Sequence, residues 1–220
     1  MFSNIDPYNI IIMIPAILIG FTFHEYAHAL VADRLGDKTP RFQGRLTLNP
    51  FVHIDIMGFI LILLVGFGWA KPVQTNPSAF KHYYKDDLKV SIAGPIANLI
   101  VAFVATVALA ISFRLLSSTN MSSQLLIIIN DIIISTMRIN CMLFILNLIP
   151  IPGFDGFHIL RDLFPKFFYN IAESMQKYQL IIFVILAVVP VYRGMSILGL
   201  ILGYTTSNLM NFFILITGIK

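Results

Sequence analysis

The sequence predicts an all-α polytopic membrane protein, and three observations carry that prediction. Of the 220 residues, 57% are apolar and 12% are charged, whereas a soluble domain carries roughly 45–50% and about 25%. Mean hydropathy is +0.82. The apolar residues also gather into runs long enough to cross a bilayer, which takes about 20 residues of helix. Such a chain cannot cover itself with polar surface, which excludes a soluble globular enzyme. A single cysteine, Cys141, excludes a disulfide scaffold. The net charge of +4 does not point to nucleic acid, because the fifteen Lys and Arg are scattered between apolar runs rather than gathered in a patch.

The first apolar run, 8–31, has no basic residue before it and is too long for a cleaved signal, so it reads as a membrane helix. Over 41–48, Phe42, Leu46 and Leu48 recur at period two with polar residues between them. That pattern suits a short strand or hairpin beside the membrane, or else an irregular loop. The run 56–69 is short and holds Gly58, Gly66 and Gly68, so it reads as a span, a re-entrant segment or an interfacial helix. Full-length spans follow at 90–113, 124–150 and 196–218, and the shorter 178–192 is expected to cross with its flanks. No internal repeat or inserted soluble module interrupts the chain. Residues 1–160 therefore read as a membrane-embedded core, and 161–220 as a C-terminal loop and helices of the same domain.

Loop charge decides the ambiguous run. If 56–69 does not cross, one side of the membrane holds Arg34, Lys38, Arg41, Arg45, Lys71, Lys81, Lys85, Lys89, Arg161, Lys166, Lys177 and Lys220. The other side then holds Arg114 and Arg193. If the run does cross, the twelve-to-two bias falls to eight against six. The positive-inside rule prefers the first arrangement, with the N-terminus outside and the long loops cytoplasmic.

The first span contains His24-Glu25-Tyr26-Ala27-His28. Residues i and i+4 share a helix face, so both imidazoles can hold one cation with the glutamate beside it. Zinc suits this pair, since catalytic zinc sites use three protein ligands. The chain has five histidines and two glutamates (Glu25 and Glu173); at that composition the pattern arises by chance roughly 0.001 times. A third ligand is offered where 124–150 ends in Asn147-Leu148-Ile149-Pro150-Ile151-Pro152-Gly153-Phe154-Asp155-Gly156. There prolines stop the helix and glycines let the chain turn, which presents Asp155 on a bend. That bend also suits an ordinary exit turn. His28 and Asp155 reach the same membrane face only if 56–69 does not cross, which is the topology the charges select. Arg138, seven residues after Asp131, is expected to pair with it.

HEYAH in one span and NLIPIPGFDG closing another resemble the site-2 protease family of intramembrane zinc metalloproteases, in its compact prokaryotic branch without an inserted PDZ domain. The likeness continues through Gly44–Pro50, His53-Ile54-Asp55, Gly68–Val73 and Ala93-Gly94-Pro95-Ile96-Ala97-Asn98. The resemblance implies that His24, His28 and Asp155 hold one catalytic zinc and that Glu25 is the general base. It implies that Asn147 steadies the oxyanion, and it suggests that Asn98 and His53 line the substrate channel, contact the catalytic water or support the site from behind its ligands. It also implies a three-helix core (8–31, 90–113 and 124–150) followed by two C-terminal helices. The expected substrates are transmembrane proteins, cut within or near their spans in the plasma membrane, with the oligomeric state left open. Phe154 stands where the family commonly has leucine before the aspartate, which keeps that position apolar. Two rival readings are a zinc- or proton-handling transporter and a relative that binds membrane proteins without cutting them. The lack of repeat symmetry opposes the first, and the intact Glu25 opposes the second.

Overall fold

The computed structural model describes residues 6–116 and 123–219. Helix α1 (Pro7–Arg34) opens on Pro7, with the Asp6 carboxylate accepting the Tyr8 N–H at 3.0 Å. Two four-residue turns, α2 (Thr39–Phe42) and α3 (Pro50–His53), lead to α4 (Ile56–Val65). Helices α5 (Tyr83–Leu116) and α6 (Ser123–Leu148) complete a three-helix bundle with α1. Then come α7 (Asp155–Leu163), α8 (Pro165–Lys177), α9 (Gln179–Val188), the hairpin β1 (Pro190–Tyr192) and β2 (Met195–Ser196), and α10 (Ile197–Thr217). Among the described residues, α1, α5, α6 and α10 are long and apolar enough to cross a membrane, so the chain is an all-α, multi-pass membrane protein.

Small side chains let the bundle close. Ala16, Ala32 and Ala102 are fully buried, and so is Cys141, which allows the close backbone approach on which membrane helices rely. One core cluster joins Ile17 and Phe21 of α1 to Ile139 and Leu143 of α6, with Phe59, Ile62 and Leu63 of α4 packed against it. A second joins Ala102 and Ala105 of α5 to Met137 and Cys141 of α6 and Phe213 of α10.

The run 56–69 enters and leaves on one side. Helix α4 has ten residues, about 15 Å at the α-helical rise, half of a hydrocarbon core. Before and after it, Ile54 and Ala70 form an antiparallel bridge, and the Lys71 N–H donates to the His53 carbonyl at 2.9 Å. The return is possible because Gly58 and Gly68 face each other: a Cβ on Gly68 would stand 2.6 Å from Ile62 Cγ1 and strike the Gly58 carbonyl.

One expectation is corrected. Residues 41–48 form no strand: Pro40 opens the α2 turn, the Arg45 N–H closes on the Pro40 carbonyl at 2.8 Å, and the chain coils around the Arg45 side chain. The period-two pattern is overridden by this local hydrogen bonding. The run 178–192 is long and apolar enough to cross only together with its flank, as a bent pair. Helix α9 is ten residues long and bends 68° from the end of α8. Pro190 then leads into the hairpin, whose Arg193-Gly194 turn has φ of 49° and 77°.

Candidate metal centre

The buried face of α1 carries Ile17, Phe21, His24, Glu25, His28 and Ala32, so the helical period that builds the core also delivers both imidazoles to the bundle interior. Their rings meet edge to face with centroids 4.6 Å apart. The chain leaves α6 through the Pro150–Gly153 bend, and Asp155 begins α7 directly opposite the histidines. His24 Nε2 lies 3.2 Å from Asp155 Oδ2, His28 Nε2 lies 3.3 Å from Asp155 Oδ1, and the two Nε2 atoms are 3.0 Å apart.

With one ligand atom from each residue, the donors all lie within 4.8 Å of one another, a spacing that can hold a metal ion. Zinc with bonds of about 2.0–2.1 Å in tetrahedral geometry separates its ligand atoms by roughly 3.3 Å. The donor set agrees, because both histidines are held in the tautomer that turns a lone pair inward. His28 Nδ1 donates to the Val90 carbonyl at 2.8 Å. His24 Nδ1 meets Asn98 Oδ1 at 2.7 Å. The amide of Asn98 has its orientation set by its own nitrogen, which donates to the Gly20 carbonyl at 3.0 Å and to Asn140 Oδ1 at 2.9 Å. Asn98 and Asn140 are fully buried, and Asn140 in turn donates to the Thr136 carbonyl. Two Nε2 lone pairs and a carboxylate therefore converge on one point, an arrangement that suits a cation.

Glu25 sits beside this centre with its Oε2 accepting the Val73 N–H at 2.7 Å. The segment that supplies this N–H is positioned by Arg45, whose guanidinium donates to the carbonyls of Val52, Lys71 (3.0 Å) and Pro72 (2.7 Å). Burial lowers the Arg45 pKa from its ordinary value. A cavity of about 650 Å³ opens in front of the centre, lined by the three ligands and Glu25, by Asn147 of α6, and by the extended segment around Trp69 and Val73. Asn147 faces this cavity while its Nδ2 donates to the Leu143 carbonyl at 3.0 Å. Phe183 of α9 packs against Phe67 at 4.6 Å and Phe154 at 6.3 Å.

Asn98 and His53 do not line the cavity. Asn98 lies behind His24 and orients it, whereas His53 is fully buried within the α3 loop with its Nε2 on the Thr47 carbonyl at 2.8 Å. Burial holds the His53 pKa below its usual value. Nor does Asp131 pair with Arg138; it accepts the Tyr8 hydroxyl at 2.6 Å.

Four contributors were missed in the sequence. Gly94 of α5 lies against both imidazoles, and a Cβ there would stand 2.6 Å from the Cε1 of each. Asn140 was signalled only as an amide in an apolar span. His158, one turn past Asp155 and therefore on its face, lines the cavity with its pKa lowered by burial and by Arg161. Val73 acts through its backbone, for which no side-chain signal exists.

The description of peptidase family M50 matches residues 12–190 of the chain. The chain is 38% identical over 187 residues to YwhC of Bacillus subtilis, a candidate zinc metalloprotease, covering 85% of this chain and 83% of that one. It is 30% identical over 166 residues to MJ0611 of Methanocaldococcus jannaschii, also a candidate zinc metalloprotease, covering 73% and 74%. To Rip2 of Mycolicibacterium smegmatis, named likewise, it is 31% identical over 161 residues, covering 69% and 56%. No solved structure matches the chain.

Proposed function

We propose, from the premise that the chain belongs to peptidase family M50, the site-2 proteases, that this zinc metalloprotease hydrolyses peptide bonds within or near the transmembrane segments of other membrane proteins. The observation that carries the proposal is the convergence of His24, His28 and Asp155 beside Glu25, in a cavity formed by membrane helices. Zinc bound by those three side chains supplies Lewis-acid chemistry toward a water and a peptide carbonyl.

The protein's own groups do the rest. Glu25 takes the proton of the attacking water and returns it to the leaving amine, with the Val73 N–H fixing its second oxygen. Asn147, with one N–H left over after its bond to Leu143, donates to the oxyanion. A membrane helix hides its peptide bonds in its own hydrogen bonds, so the substrate must unwind before it reaches Glu25. The extended segment 67–76 along the cavity wall offers backbone groups to which an unwound stretch can pair.

The site opens to the cytoplasm, and the protein lies in the plasma membrane with its N-terminus outside. The charge argument holds for four crossings as well as for five: without a crossing at 178–192, Arg193 joins the cytoplasmic side and the C-terminus leaves it, so the bias stays twelve to two.

The test is cleavage of a co-expressed panel of tagged single-span proteins by the wild-type chain and by Glu25→Gln, with zinc content measured in both. Cleavage lost while zinc is retained is the expected result. Equal processing by both proteins would sink the proposal.

A further inference from the structure

The proteolytic reading leaves Arg138 unexplained. A charged side chain within a membrane span is costly, and such residues ordinarily face a bundle interior, a cavity or a partner. Arg138 is exposed on α6, and among the described residues it has no ion pair, hydrogen bond or ring contact. Two other faces of α6 are occupied: Met137 and Cys141 pack toward α10, and Ile139 and Leu143 toward α1. Arg138 shares its own face with exposed Ile127 and Ile134.

Its depth rules out an easy escape to water. Ten residues separate it from Leu148 and fifteen from Ser123, about 15 Å and about 22 Å along the axis. The Cα–Cβ bonds of a helix tilt toward its N-terminus, which carries the guanidinium toward the middle of the span rather than its nearer end. Asp131, about 10 Å along the same face, is engaged by Tyr8. A second copy related by an axis along the membrane normal would bring two Arg138 side chains to one depth, where like charges repel. The face is also continuous with the cavity, because Met142, one turn past Arg138, is part of its wall.

We propose that the outer face of α6 around Arg138 is a docking surface for the transmembrane segment of a substrate carrying an aspartate or glutamate at matching depth. Each charge is expensive alone in lipid, so pairing offsets both costs and fixes the register of the segment before it unwinds. That the occupant is a substrate rests on the proteolytic reading; the surface itself does not.

The experiment places a photocrosslinking residue at Ile134 in the full-length Glu25→Gln chain in membranes. The probes are single-span leucine–alanine segments with one glutamate moved residue by residue along their length. The crosslink is expected to peak at one glutamate depth, to fall about tenfold with Arg138→Leu, and to recover with Arg138→Lys. Arg138→Glu should transfer the preference to lysine-bearing segments. Zinc content of each variant reports that the fold is intact. A crosslink absent throughout, indifferent to glutamate depth, unchanged in Arg138→Leu, or formed to a second copy of the chain would overturn the proposal. Cleavage of the same segments by the chain with Glu25 restored tests the proteolytic reading separately.

Discussion

His24 and His28 reach the metal centre from inside the bilayer and Asp155 reaches it from the edge, and the two sides are held by different forces. On the histidine side every support is neutral: Asn98, the Val90 carbonyl and, behind them, Asn140. On the aspartate side the supports are charged. Arg161 of α7 donates to its neighbour Asp162 at 2.8 Å and to Asp87 of α5, which ties α7 and its N-terminal Asp155 to the bundle. The contrast follows the surroundings. Ion pairs are poorly rewarded where their desolvation is complete, whereas amide networks satisfy every donor without carrying charge into lipid. At the membrane edge, water moderates the cost of the ions.

The neutral side should be the more fragile, and Gly94→Ala breaks it most severely. A methyl group there meets both imidazoles while Asn98 and Val90 hold them in place, so either α5 or the ligands must move. Zinc affinity should fall by about 100-fold or more, the upper range for disturbing the supports of metal ligands. The metal-free protein should lose less stability than the clash alone would cost, since alanine favours a helix over glycine by about 1 kcal/mol. Zinc affinity kept at the wild-type value would mean that the imidazoles can move aside and that Gly94 is not required at the metal centre.

Asn98→Leu should come next. It removes the acceptor that fixes the His24 tautomer and leaves Asn140 without its donor, at a cost of about 10- to 100-fold in zinc affinity or activity. Asn98→Asp, which keeps an acceptor facing Nδ1, should recover part of that loss. Equal damage from both variants would show that volume at this position matters and hydrogen bonding does not.

Arg161→Leu probes the charged side and should cost less, about tenfold in zinc affinity, because Asp155 is held at one remove. Arg161→Lys should retain much of the wild-type value. Raising the salt concentration should narrow the gap between wild type and Arg161→Leu and leave the Asn98→Leu loss unchanged. A salt effect of the same size on both variants would dissolve the distinction between the two sides.

The neutral side was also the more legible in the sequence. The His24–His28 spacing is a helical period, and HEYAH within an apolar run states both the ligands and their depth. The Asp155 bend could be read from its prolines and glycines, and the loop charges kept 56–69 from crossing. What escaped depends on how helices cross: nothing local marks Gly94 as the contact for two imidazoles, or pairs Asn98 with Asn140. Residues 41–48 misled because alternation describes side chains, whereas Pro40 and Arg45 govern the backbone there. The bend before 178–192 was not legible because hydropathy averages over a break in the helix, such as the 68° turn between α8 and α9.

The smallest expected effect concerns Asp162, whose buried Oδ2 has no hydrogen-bond partner among the described residues. Burial raises its pKa to about 6, more than the neighbouring Arg161 lowers it. A carboxylate whose folded pKa lies above its unfolded value binds its proton more tightly in the native state. It therefore favours the docked α7 fully below about pH 4, and that contribution is lost as the pH rises to about 6. In metal-free protein, the thermal midpoint of wild type should fall across this window by more than that of Asp162→Asn. The difference between the two curves cancels the titration of the histidines and Asp155, which both proteins share. Parallel curves would place the Asp162 carboxylate in contact with water, and Arg161 would then be tied to α5 through Asp87 alone.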